Sequence, residues 1–180
     1  MKFNFRIPLM AATAVIAIAP LGAHAVDSVS AAFATGNSTK MARAGMQWKW
    51  DSKWWQSNGT HITGYWDVTF AYWRLERYQN MNRNKHIADV GFTPVFRWQS
   101  DKFTGWYGEA GIGAHLLSEV YDNAGRRLST VFQFGDHIGI GYVFGNGTDL
   151  GLLYQHFSNG SIKKPNNGVN FTMVRFTYPF

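Results

Sequence analysis

The chain has no cysteine, which excludes a disulfide-stapled scaffold and leaves the compartment open. Charge is scarce as well: Asp, Glu, Lys and Arg make up 16% of 180 residues, where a soluble domain carries about a quarter. Past the first 25 residues no apolar run approaches the roughly 18–20 residues that a membrane-crossing helix needs. There is no Gly-x-Ser-x-Gly elbow, no metal-ligand spacing and no glycine loop built to cradle phosphate. Internal repeats, low-complexity tracts and linkers are missing too.

What is there is aromatic. Phe, Trp and Tyr make up 17% of the chain, which suits contact with lipid better than with bulk water. The N-terminus carries Lys2 and Arg6, then an apolar stretch from Ile7 to Leu21, then Ala23-His24-Ala25 as a small-x-small cleavage site. Residues 1–25 therefore read as an export signal peptide and 26–180 as a single mature domain. The formal charge of +6 falls to +4 without Lys2 and Arg6. An exported basic chain is expected to meet anionic lipid head groups and not nucleic acid.

Clusters of Gly, Asn, Asp and Ser divide the mature chain into eight alternating segments, at about 27–36, 40–50, 60–74, 86–99, 103–117, 129–144, 148–159 and 169–180. In the sixth, Phe132, Phe134, Ile138, Ile140, Tyr142 and Phe144 take one face, and Gly139, Gly141 and Val143 the other. The opposite face of the set collects Arg43, Lys49, Asp67, Asp89, Arg97, Glu109 and Arg175, charges of both signs suited to pairing in a narrow lumen. Dyad alternation over such segments predicts an all-β fold: an eight-stranded antiparallel transmembrane β-barrel of the bacterial outer membrane. A barrel of this size is filled by its own side chains, which excludes a porin. Trp48, Trp50, Trp54, Trp55, Trp66, Trp98 and Trp106 are expected in the aromatic girdles. The short connections at 100–102 and 145–147 predict the periplasmic side, and the longer 75–85 and 118–128 the outside. His115 and His137 read as lumen hydrogen-bond partners, His61 and His86 as surface residues.

One strand breaks the apolar pattern. Leu150, Leu152 and Tyr154 lead along the lipid-facing side to His156 and Ser158, a base and a hydroxyl two residues apart on one face. Ten residues from the turn at Asn146, with a rise near 3.3 Å and a tilt near 40°, His156 stands about 25 Å up the wall, at the outer-leaflet boundary. Pairing about that turn puts Asp136 opposite His156. Pairing across 160–168 is expected to put Asn170 opposite Ser158 and Thr172 opposite His156. Polar groups at this depth cost only about 0–1 kcal/mol, so a plain polar rim explains them as well.

The run His156-Phe157-Ser158-Asn159-Gly160-Ser161-Ile162-Lys163-Lys164-Pro165-Asn166-Asn167-Gly168 resembles the His-x-Ser-Asn motif and following loop of the outer-membrane lipid A 3-O-deacylases, the PagL family. The likeness extends to Trp54-Trp55, Thr63-Gly64-Tyr65-Trp66-Asp67, Glu109-Ala110-Gly111-Ile112-Gly113 and the aromatic C-terminus. It implies a barrel esterase that removes the acyl chain ester-linked at position 3 of lipid A, with Ser158 as nucleophile and His156 as general base. Asn159, Asn166, or a backbone N–H near Gly160 and Ser161 would stabilise the oxyanion. Lys163 and Lys164 would meet lipid A phosphates. No cofactor and no metal is expected. The family's third triad member is a glutamate twelve residues after the serine; here that position is Asn170. Asp-to-Asn in the equivalent role of a serine protease costs about 10⁴ in turnover. Asp136 is therefore expected to supply the carboxylate, so that Asp136→Asn abolishes deacylation and Asn170→Ala only weakens it.

The expected partners are lipopolysaccharide as substrate, outer-membrane lipids, and the assembly machinery that reads a C-terminus such as Tyr178-Pro179-Phe180. Pairing with a second copy stays open. The expected location is the outer membrane, multi-pass, with the active site facing the outer leaflet. The alternatives are a non-catalytic barrel used for adhesion or anchoring, a catalytically weakened family member, and a palmitoyl-transferring barrel. The last usually begins with an amphipathic helix, for which the segment before the first strand has no room.

Overall fold

The computed structural model describes residues 25–180; residues 1–24, and with them nearly all of the expected leader, lie outside that range. The strands are β1 Ser28–Gly36, β2 Thr39–Lys49, β3 Trp54–Ser57, β4 Thr60–Leu75, β5 Lys85–Ser100, β6 Gly105–Leu117, β7 Asp122–Asn123, β8 Arg126–Arg127, β9 Phe132–Val143, β10 Asp149–Ser158 and β11 Val169–Pro179. Eight of them close a ring in the order β1, β2, β4, β5, β6, β9, β10, β11 and back to β1. Every neighbouring pair is antiparallel. Closure leaves no unpaired edge, which lets a sheet sit in lipid without orphaned backbone groups. The expected eight-stranded barrel is what forms. Short β3 lies in the connection between β2 and β4, and β7–β8 is a small hairpin in the connection between β6 and β9.

The barrel has a terminus end, where Ser28 pairs with Pro179, and a loop end. The loop end carries the connections 76–84, 118–131 and 159–168, plus a two-residue turn at Asn37 and Ser38. That turn has φ of 49° and 52°, both left-handed, as a tight hairpin with the native twist requires.

Outside, the wall is apolar: Phe70, Val90, Phe96, Ile112, Ile138, Ile140, Leu152 and Val174 are all exposed. Inside, two zones differ. Toward the loop end Trp73 packs edge-on against Phe157 at 4.8 Å and Phe171 at 5.0 Å, with Leu75, Ile87, Tyr121 and Leu128 sealed around them. Toward the terminus end the lumen is ionic. Glu109 accepts from Arg97 at 2.8 Å and from Arg175 at 2.7 Å, Tyr65 donates to it at 3.1 Å, and Arg97 reaches Asp149 at 3.2 Å. His115 meets Asp89 at 3.0 Å and His137 meets Glu109 at 3.5 Å, so both serve the lumen as expected. His61 does not lie on the surface. Its parity turns it inward, where it is fully buried and meets Asp101 of the next turn at 2.6 Å.

Candidate active site

β10 carries the site because its alternation never lapses. Gly151, Leu153, Gln155 and Phe157 turn inward and are buried, so Leu152, Tyr154, His156 and Ser158 must face out. His156 lies between Asp136 on β9 and Asn170 on β11 in the ladder. The Asp136 pairing is as expected. The β11 pairing is not: Asn170 sits opposite His156, Thr172 sits opposite Tyr154, and Ser158 is not Asn170's partner. Val169 starts β11 against Phe157, and Gly168, with φ of 64°, turns the chain out of the ladder one residue earlier.

The two-residue difference brings the site together. His156 Nδ1 lies 2.6 Å from Asn170 Oδ1. An amide oxygen can only accept, so Nδ1 carries a proton in this arrangement, which in the neutral ring leaves the lone pair on Nε2. Both residues are half-buried, as are Ser158 and Asp136. Among the described residues the Asp136 side chain makes no hydrogen bond to the imidazole, and none joins the side chains of His156 and Ser158. Their Cα atoms are roughly 6.6 Å apart by strand rise. Such bonds often tighten only when substrate is present.

After Ser158 the chain makes a tight turn. Ile162 N–H donates to the Asn159 carbonyl at 3.1 Å, with Gly160 and Ser161 at φ of 61° and 65°. Asn159 is fully buried and already engaged: its N–H donates to Asn166 Oδ1 at 3.1 Å and its amide to the Lys163 carbonyl at 2.8 Å. It builds the loop instead of facing a substrate. Among the described residues the N–H groups of Gly160 and Ser161 donate to no protein atom. Lys163 and Lys164 are exposed beside them. Phe134, paired with Ser158 across the ladder, would meet a Cβ at Gly160 at 3.0 Å, so its ring walls the site on the β9 side.

Sequence reasoning missed the cover above this strand. The β7–β8 hairpin reaches across to the loop after Ser158: Arg126 Nη1 donates to the Asn167 carbonyl at 2.7 Å, and Ser129 Oγ to the Pro165 carbonyl at 2.6 Å. The signal was present as Ala124-Gly125 between short polar pairs, which closes a two-residue hairpin with both residues left-handed. Taken together, a histidine with a fixed tautomer, a hydroxyl on the same face and two free N–H groups in the next turn are suited to acyl transfer.

Comparisons with known proteins return lipid A deacylases. A family model described as "Lipid A 3-O-deacylase (PagL)" matches residues 40–179. The lipid A deacylase PagL of Pseudomonas aeruginosa is 33% identical over 177 residues, covering 96% of this chain and 97% of that protein. The lipid A deacylase PagL of Bordetella bronchiseptica is 42% identical over 95 residues, covering 53% of this chain and 52% of that protein. A crystal structure of the outer membrane enzyme PagL matches with a TM-score of 0.75 at 31% identity, covering 85% of this chain and 99% of the other.

Proposed function

The chain belongs to the lipid A 3-O-deacylase (PagL) family of the outer membrane, and we propose that it works as a serine esterase through Ser158 and His156. The observation that carries this reading is the 2.6 Å contact between His156 Nδ1 and Asn170 Oδ1, which leaves Nε2 free as a base on the face that Ser158 shares.

His156 Nε2 takes the Ser158 proton as Oγ attacks the carbonyl carbon of the 3-linked acyl ester. The tetrahedral oxyanion forms beside the free N–H groups of Gly160 and Ser161, with Asn166 close by in the same loop. A donor of this kind is typically worth about 2.7–4 kcal/mol. The intermediate collapses, the sugar oxygen leaves with the proton from His156, and an acyl-serine remains. Water, deprotonated by the same nitrogen, releases the 3-hydroxy fatty acid and restores Ser158.

Asn170 and Asp136 divide the third role. Asn170 fixes ring and tautomer. Asp136 faces the imidazole from β9, where paired positions bring Cβ atoms within about 5 Å, and its charge favours the imidazolium that forms. Lys163 and Lys164 meet the lipid A phosphates at the head-group level, which requires the loop end to face the outer leaflet. Tyr178 and Phe180 at the other end suit recognition by the assembly machinery.

Mass spectrometry of lipid A from cells expressing the chain and its Ser158→Ala variant tests the reading. The wild type is expected to remove one 3-hydroxyacyl chain and the variant none. A gained palmitoyl chain, or the same loss from both proteins, would sink it.

A further inference from the structure

The imidazole of His156 rests on bare backbone. A Cβ at Gly168 would fall 2.5 Å from the ring's Cε1 and 3.2 Å from Nε2, so only glycine leaves the ring this position. Gly168 precedes the first paired residue of β11, so the β10 ladder does not hold it. It is held from the side. Arg126 Nη1 donates to the Asn167 carbonyl at 2.7 Å and to the Gly168 carbonyl at 3.1 Å. Arg127 N–H donates to Asn167 Oδ1 at 3.0 Å, and Asn167 N–H donates back to the Arg127 carbonyl at 3.1 Å. The hairpin that presents Arg126 is anchored in turn. Asn123 is fully buried, and its amide donates to the carbonyls of Asn37 at 2.8 Å and Ser38 at 3.0 Å.

We propose that Arg126 is a positioning residue for the reaction. It acts on His156 through the Asn167–Gly168 backbone, setting the seat on which Nε2 lies and so its approach to Ser158 Oγ. A guanidinium suits this because its N–H donors lie in a fixed planar fork, and two carbonyl oxygens converge on one of its nitrogens. The inference rests on the assignment of His156 and Ser158 given above.

Steady-state kinetics of the full barrel on lipid A in detergent micelles, with kcat and KM separated, tests it. Arg126→Met is expected to lower kcat roughly ten- to a hundredfold, the scale of a misplacement near 1 Å, with KM within about twofold. Arg126→Lys, which keeps a donor, should recover part of the loss. A raised KM at unchanged kcat would mean that Arg126 binds substrate phosphate, and would overturn the proposal. So would two unchanged constants. Gly168→Ala supplies an independent arm, with a comparable kcat loss expected in a barrel that still migrates as folded on an unheated gel; wild-type kcat there overturns the proposal as well. Failure of the underlying assignment looks different, because Ser158→Ala would then remain active whatever Arg126→Met does.

Discussion

Two polar clusters mark this barrel, one inside the wall and one outside, and they are built in opposite ways. Inside, Glu109 is shared by Arg97, Arg175, Tyr65 and His137, so each charge has several partners and none reaches lipid. Outside, the His156 side chain has one hydrogen bond, the side chains of Ser158 and Asp136 make none to it, and all are half-buried. Redundant pairing spreads the cost of burying charge and locks the lumen. Sparse pairing leaves a base and a hydroxyl with unused capacity where a lipid ester can approach. The first arrangement suits stability, and on the proposed mechanism the second suits reactivity.

The contrast can be broken one side at a time. Ser158→Ala has the largest expected effect, lowering the deacylation rate by a factor on the order of 10⁴ or more with an unchanged folded fraction on unheated gels. Glu109→Gln comes next and acts on the other axis. It leaves Asp149 as the remaining counter-charge for Arg97 and Arg175 and should lower unfolding stability by about 3–5 kcal/mol in a urea titration, while activity per folded molecule stays at the wild-type level. A large kcat loss in the folded fraction would mean that the two clusters are coupled.

Within the outer cluster the two candidate partners of His156 are expected to separate. Asn170→Ala should cost about 2 kcal/mol of transition-state stabilisation, roughly thirtyfold in kcat, and Asp136→Asn about 1 kcal/mol, roughly fivefold. The opposite order would give Asp136 the orienting role. Smallest is the paired Lys163→Ala, Lys164→Ala change. It should raise KM about threefold at low salt, an effect that high salt removes.

Most of the architecture was legible because a strand writes its faces into the sequence with a period of two. The inward and outward sets on β5, β9 and β11 fall where the alternation puts them. The same period explains what was not legible. A slip of two leaves every side chain on its own face, so alternation fixes the side on which Asn170 stands but not its partner, and the expected pairing with Ser158 was off by two. The loop decides the register, and the loop is tied to another loop: Leu128 bridges Asn166, and Arg126 grips Asn167. Such contacts join residues about forty apart through backbone carbonyls, for which sequence carries no periodic signal. His61 was misread for a similar reason, since a position near a strand end suggested exposure while its inward parity and Asp101 bury it. The 2.6 Å contact is the reason the proposed ordering favours Asn170, where the sequence alone favoured Asp136.

The stopper of Trp73, Phe157 and Phe171 above the ionic girdle has a consequence for the cell and not for the reaction. A barrel whose work is done on its outer wall has no need of an open bore, and a hollow cylinder in its place would leak ions and small solutes. Aromatic rings packed across the loop end leave no room there for such a passage. The surface chemistry of the envelope can then be tuned independently of its permeability.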